Sequence, residues 1–390
     1  MRALQLDAEW SPRSGYVLSE RERREQRAEN SNQVYRDPRL ALVGMPTPEP
    51  GPREALIRVK TCGVCGSDLH LYEKDADDYI ISADPTNLPI VLGHEWSGVV
   101  EAVGAEVRFL RPGDPVCAES TNFCGMCAAC RAAMPNYCQN LEDLGFTLNG
   151  AMAEYLVVRE QSCFKLDAVF DAYGNDDRAY EAGALVEPLG VAYNGMFVRS
   201  GGFMPGGHVA VFGAGPIGLA AIAMARAAGA ATVLAFDTVS ERRALALRLG
   251  ADQAHDPLAL SRDGRDQAGL IRDATRGDGL AMAVEAAGAS PWTIPVLERC
   301  MAVGGKIIQV GIGTRPTPIN LVELQKQGIS LYGTMGMSGS GIPAAVIRML
   351  ASGRLDASPI ITARFPLDQA MAAMTLGSER RDGKILVKPG

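Results

Sequence analysis

Four cysteines, Cys124, Cys127, Cys130 and Cys138, fall within fifteen residues, with Gly125, Pro135 and Asn136 between them supplying turns. Four thiolates at about 2.3 Å close a tetrahedral zinc shell with no position left for water or substrate, so this spacing offers the tethering of a loop. An iron–sulfur cluster or a pair of disulfides is the alternative reading of the same thiols. A second group is scattered along the chain: Cys65-Gly-Ser67-Asp68-Leu-His70, then Gly93-His94-Glu95, then Glu187-Pro188-Leu189. One thiolate, one imidazole and one or two carboxylates can hold a cation and leave a coordination position open, as a catalytic zinc requires. Such a cation is a Lewis acid toward an oxygen that it binds. Ser67, two residues from Cys65, is the expected first proton acceptor, and His70, whose imidazole titrates near neutrality, the group that passes the proton to solvent. The competing readings are a local turn hydrogen bond for Ser67 and a structural role for His70.

A third group binds rather than reacts. Val209-Ala-Val-Phe212 runs into Gly213-Ala-Gly215-Pro216-Ile217-Gly218 and then an alanine-rich helical stretch. That context lifts a G-x-G-x-x-G match above chance: the glycines allow a tight turn, close approach of a pyrophosphate and close helix-to-strand packing. The helix start offers free N–H groups to phosphate. Asp237 stands nineteen residues beyond Gly218, at the end of the next strand. A carboxylate there accepts from ribose hydroxyls and repels a 2′-phosphate, so NAD is favoured over NADP. Arg242 either flanks the adenosine or coats a helix, and its neighbour Arg243 keeps NADP open. Cys62 reads as structural, Cys117, Cys163 and Cys300 as small buried hydrophobes, and His208 and His255 as structural or surface residues.

These groups need two kinds of scaffold. Residues 1 to 190 carry short β-type runs bounded by Gly and Pro, such as Glu54 to Lys60, Ser97 to Val103 and Tyr155 to Val158, which predicts an irregular β-rich domain. From Gly206 buried strands alternate with helices, the pattern of a doubly wound parallel sheet and hence an α/β fold. Strands are expected near Val209 to Phe212, Thr232 to Phe236, Gln253, Ala281 to Glu285, Lys306 to Val310 and Ile329 to Tyr332, with helices over Pro216 to Ala228 and Ser240 to Leu249. A helix at Ile342 to Ala351 and a strand at Ile385 to Val387 are expected to return to the first domain. The division is thus 1–190 with 336–390, and 191–335. Residues 19 to 38 are charged and nearly free of apolar side chains, which predicts a solvated helix or surface insertion, or a contact with a partner.

The 390 residues suit two domains, or three. Lys and Arg number 38 against 45 Asp and Glu, a net charge of −7, which argues against a nucleic-acid surface. With 47% hydrophobic and 21% charged residues the chain is globular rather than disordered. The start, Met-Arg-Ala-Leu-Gln-Leu-Asp, shows no secretory pattern, and the apolar stretch from Val209 to Phe236 is broken by glycines and Arg226, so no membrane span is expected. A cytoplasmic location follows as an expectation, and it favours metal over disulfides for the thiol cluster.

Taken together these motifs resemble the zinc-dependent medium-chain dehydrogenases over nearly the whole chain. The resemblance implies a GroES-like β-rich catalytic domain, a Rossmann NAD-binding domain inserted before the C-terminal segment, a cleft between them, two Zn²⁺ per chain and a homodimer or homotetramer. Where alcohol dehydrogenases usually supply a second cysteine, this sequence reads Glu187-Pro-Leu, which is similar to the sorbitol and other polyol dehydrogenases. By that likeness Cys65, His94 and Glu95 hold the catalytic zinc, with Glu187 bound directly or through water. The opening Met-Arg-Ala-Leu-Gln-Leu, Gly15-Tyr-Val-Leu-Ser-Glu and the charged insertion are similar to the bacterial scyllo-inosose 3-dehydrogenases, and ordinary sorbitol and threonine dehydrogenases lack that extension. The implied substrate is a polyol or cyclitol, whose extra hydroxyls call for polar partners, with Tyr72, Glu154 and Glu187 as candidates. The alternatives are a linear polyol or amino alcohol such as sorbitol or threonine, or a non-catalytic nucleotide-binding sensor.

Overall fold

The structure is a computed structural model that describes residues 1–313 and 315–390. The chain folds into two compact units, Met1–Glu187 with Ala363–Arg380 and Lys384–Gly390, and Pro188–Thr362 with Arg381–Gly383. The helix Ile342–Ala351 falls in the second unit, whereas the sequence reading assigned residues 336–390 as a block to the first. Only Ala363–Arg380 and Lys384–Gly390 of that block belong there.

The first unit is built on antiparallel pairing. A seven-stranded sheet runs in the spatial order Cys163–Lys165, Pro115–Ala118, Glu95–Val103, Glu54–Gly63, Lys384–Lys388, Ile361–Pro366, with Tyr155–Arg159 also pairing to Glu54–Gly63. The C-terminal strand lies against Glu54–Gly63, matching Leu386 with Gly63 and Val387 with Cys62, and so brings residues near the end of the chain beside the segment that leads to Cys65. Trp96, Ile57, Leu71 and Leu92 are fully buried in its core. Burying side chains of that size is worth about 1.5–3 kcal/mol each before conformational entropy is charged.

The second unit is the expected parallel sheet. Its six strands lie in the order Gln253–His255, Thr232–Phe236, His208–Phe212, Leu280–Glu285, Met301–Gln309, Ser330–Gly333, a dinucleotide-fold order with the first strand at the centre. Strands covered by helices on both faces must be apolar throughout, and Val209, Ala210 and Val211 are all fully buried. Phe212 stacks on Phe236 at 4.5 Å across two adjacent strands.

The charged segment departs from a uniformly solvated face. It forms the short helix Glu20–Glu25, capped by Ser19, and the turn Ser31–Val34 before the strand Tyr35–Gly44. Glu22 is fully buried, accepting from the backbone N–H groups of Ser19 and Glu29 and from the Tyr16 hydroxyl. Burial alone would raise its carboxyl, but these donors hold it below the usual range. Cys62, Cys117 and Cys300 are buried as expected, whereas Cys163 is only half-buried.

Candidate functional site

Cys65 caps the helix Gly66–Tyr72, and its backbone N–H donates to Asp68 Oδ2 at 2.9 Å. Ser67 and His70 follow three residues apart on that helix, a spacing that puts both on one face. Burial, then the nearby Arg380 guanidinium, lower the His70 pKa below its ordinary value, which keeps the ring neutral and able to accept a proton. His94 immediately precedes the strand Glu95–Val103, which Glu95 opens. Donor atoms of Cys65, His94 and Glu95 all lie within 4.8 Å of one another, so sulfur, nitrogen and carboxylate converge from two elements. This donor set fits zinc, and the buried His94 Nδ1 is without a good hydrogen bond: Asp68 Oδ1 stands 3.5 Å away. A carboxylate beside the second nitrogen of a ligating imidazole fixes the ring and its tautomer. The sequence reading assigned Asp68 no role, although its place in Cys-Gly-Ser-Asp was the available signal.

A second residue escaped the sequence reading altogether. Lys384, on the C-terminal strand, is almost completely buried and donates to Glu95 Oε1 at 2.6 Å, Glu95 Oε2 at 2.5 Å and the Val64 carbonyl at 3.0 Å. Burial pulls its ammonium down, but Glu95 and Cys65 push it further the other way and the net shift is upward. Glu95 thus faces the ligand cluster with both oxygens already engaged by a cation.

Glu187 lies outside the converging set, at the start of the helix Val186–Tyr193, and is buried. Burial raises its carboxyl to about 8; His94 and Lys384 act against this, while Glu95 and Asp143 add to it. The folded chain therefore binds more protons than the unfolded one between Glu187's ordinary value of 4.5 and about 8. Stability of the metal-free protein falls as pH rises through that window and levels off above it. One such group contributes a slope of about 1.4 kcal/mol per pH unit. We expect the melting temperature of chelator-treated protein to drop between about pH 5 and pH 8, and Glu187→Gln to flatten the profile. An unchanged profile in the variant shifts the effect to another group.

Of the candidates for further hydroxyls, Glu154 is committed elsewhere. Its carboxylate accepts from the Arg2 backbone N–H at 2.8 Å and Arg2 Nε at 2.9 Å. Tyr72 packs partly buried against the core of the first unit.

In the four-cysteine loop the Sγ atoms of Cys127 and Cys130, and of Cys124 and Cys138, lie 3.5 Å apart, and those of Cys127 and Cys138 lie 3.9 Å apart. Tetrahedral zinc with 2.3 Å bonds requires sulfurs about 3.8 Å apart, whereas a disulfide requires about 2.05 Å. All four are free thiols, which removes the disulfide reading. N–H groups of Met126 and Cys127 point at Cys124 Sγ and lower its pKa to about 6, favouring the thiolate a metal needs. Cys124→Ser is expected to lower metal content from about two zinc per chain to about one and to open the loop to proteolysis. Two zinc retained in the variant removes the structural assignment.

In the second unit the glycine fingerprint forms the predicted turn. Gly213 has φ +88°, and a Cβ on Gly218 would lie 1.8 Å from the Gly213 carbonyl oxygen, so helix and strand touch where only hydrogen fits. The helix Pro216–Ala227 starts from Gly215 with Pro216 and Ile217 in its first turn. Asp237 is nearly buried, and its carboxylate accepts from Ala214 N–H at 2.7 Å and Val239 N–H at 2.8 Å, which fixes it beside the turn. Arg242 Nε donates to the Asp382 carbonyl at 3.2 Å, and its guanidinium lies nearest to where a Gly215 side chain would be. Arg243 Nη1 donates to the Asp237 carbonyl at 2.9 Å.

Comparison with known proteins agrees with this geometry. The alcohol dehydrogenase GroES-like domain family matches residues 51–168, and the zinc-binding dehydrogenase family matches residues 216–352. A scyllo-inosose 3-dehydrogenase from Thermotoga maritima is 36% identical over 380 residues, covering 95% of this chain and 94% of that protein. An L-threonine 3-dehydrogenase from Symbiobacterium thermophilum is 32% identical over 354 residues, 90% of this chain and 95% of its own. A solved Thermotoga maritima chain, provisionally described as an alcohol dehydrogenase, superposes with a TM-score of 0.94 at 34% identity, covering 100% of both chains.

Proposed function

The chain belongs to the zinc-dependent medium-chain alcohol dehydrogenases, oxidoreductases built from a GroES-like and a Rossmann-like domain, and from that premise we propose that it oxidises a secondary alcohol of a polyol or cyclitol to a ketone with NAD. The observation that carries the reading is the convergence of Cys65, His94 and Glu95 in a chain that also holds a complete dinucleotide turn. These three residues, with Glu187 within electrostatic reach, hold the cation in this reading, and Cys124, Cys127, Cys130 and Cys138 hold the structural one. When bound, the first zinc supplies Lewis acidity toward the substrate hydroxyl. In this reading Ser67 Oγ takes the hydroxyl proton and hands it to the neutral His70 ring, and NAD, when bound, would supply the hydride acceptor. One alcohol and one NAD⁺ become one ketone, one NADH and one proton.

Gly213, Gly215, Pro216, Ile217 and Gly218 receive the pyrophosphate in this reading, Asp237 the ribose hydroxyls, and Arg242 flanks the adenosine. The Asp237 carboxylate favours NAD over a 2′-phosphorylated cofactor. An inosose-like cyclitol is the finer assignment, supported by the relative that matches 95% of the chain. A homo-oligomer belongs to the same reading: the strand Ser330–Gly333 ends its sheet with one ladder open, and Leu331 on it is 38% exposed. So does a cytoplasmic location, where thiol ligands stay reduced.

The test is a panel of inosose, myo-inositol, sorbitol, threonine and simple secondary alcohols, followed at the NADH absorbance band with zinc-loaded protein. Reduction of NAD is expected, fastest with cyclitols. Preference for threonine would move the chain to the amino-alcohol branch, and no reduction with any alcohol would remove the catalytic reading.

A further inference from the structure

Asp143 stands on the two-residue strand Glu142–Asp143, paired with Thr121–Asn122. Its backbone builds a tight turn, its N–H bonded to Thr147 Oγ1 at 2.7 Å and its carbonyl accepting from the N–H groups of Phe146, Thr147 and Leu148 at 3.2, 2.9 and 3.0 Å. The side chain takes no part in those bonds. The carboxylate interacts with the Ser120 hydroxyl and the Leu144 N–H, while Oδ1 is shut off from solvent and has no hydrogen-bond partner among the described residues. Buried acceptors are almost always satisfied, so an orphaned carboxylate oxygen calls for a partner.

Its surroundings say where that partner sits. The turn packs on the segment that carries His94: a Cβ on Gly145 would lie 2.9 Å from the Gly93 nitrogen, and the Phe146 ring lies 5.5 Å from the His94 ring. His94 is the strongest charge partner of Asp143, and Glu187 in turn feels Asp143. Asp143 therefore lies within electrostatic reach of the Cys65, His94 and Glu95 cluster without being one of its ligands.

We propose that Asp143 determines specificity for polyhydroxylated substrates, its Oδ1 accepting a hydrogen bond from a second hydroxyl of the substrate while the first is oxidised. The proposal rests on the dehydrogenase reading above and adds to it the residue that tells a polyol from a simple alcohol. A site that hydrogen-bonds a substrate hydroxyl discriminates strongly against an analogue lacking it, because the buried polar group is left unpaired.

The experiment measures kcat and KM of zinc-loaded protein with inosose and with cyclohexanol, for the natural chain, Asp143→Leu and Asp143→Asn. In Asp143→Leu the ratio of kcat/KM for inosose to that for cyclohexanol is expected to fall at least about thirtyfold, mostly through KM. Asp143→Asn, whose amide carbonyl still accepts, is expected to recover most of that ratio. Should Asp143→Leu fail to melt cooperatively, Asp143→Ala gives the same comparison. A ratio unchanged in the leucine or alanine variant, both substrates being lost in proportion, makes Asp143 structural and overturns the proposal. If the natural chain shows no preference for inosose over cyclohexanol, the polyol reading falls and this one with it; a strong preference that Asp143 substitutions leave intact sinks this proposal alone.

Discussion

His94→Ala is expected to abolish measurable alcohol oxidation while leaving dinucleotide binding close to that of the natural chain. His94 is the one imidazole of the Cys65, His94, Glu95 set, and without it a thiolate and an already ion-paired carboxylate remain to hold the cation. Lewis-acid assistance is worth several kcal/mol of transition-state stabilisation, and each 1.36 kcal/mol is a factor of ten, so kcat is expected to fall about 10³-fold or more. The glycine turn and Asp237 belong to the other compact unit, and NADH titration followed by fluorescence should report little change. Metal analysis should lose about one zinc of two, the four-cysteine site being separate. A variant that keeps both metals and its turnover would show that His94 is not a ligand.

Lys384→Met is expected to be among the most destabilising single substitutions in the first unit. Lys384 and Glu95 are each about 1% exposed and share two hydrogen bonds, and removing the ammonium strands a carboxylate where water cannot reach it. Breaking a buried pair from one side costs about 3–5 kcal/mol, whereas replacing both partners is often nearly neutral. The double variant Lys384→Met/Glu95→Gln should therefore recover most of the loss in chemical denaturation of metal-free protein. Bound zinc should shrink the penalty of the single variant, since a second cation then faces Glu95. A single variant as stable as the natural chain, with or without metal, would mean that the pair adds nothing to stability.

Much of this molecule was legible before any coordinates. The parallel sheet announced itself because a strand buried on both faces must be apolar along its length, and Val209 to Phe212 followed by spaced glycines has few other uses. Cysteines three residues apart, and an imidazole next to a carboxylate, are local patterns whose chemistry depends on residue type and spacing more than on packing. What only the tertiary structure decided involves partners far apart in the chain. Lys384 meets Glu95 across 289 residues because the last strand closes the first unit's sheet, and nothing near Lys384 in the sequence marks it as other than a surface lysine. Glu154 looked as available as any acid until the strand Arg2–Trp10 brought Arg2 against it. Nothing in the sequence singles out Asp143, and folding beside His94 left one of its oxygens dry and unpaired among the described residues. Local spacing specifies which groups can react; burial and long-range strand pairing decide which of them are neutralised and which stay available, because desolvation and ion pairing depend on neighbours the linear order does not name.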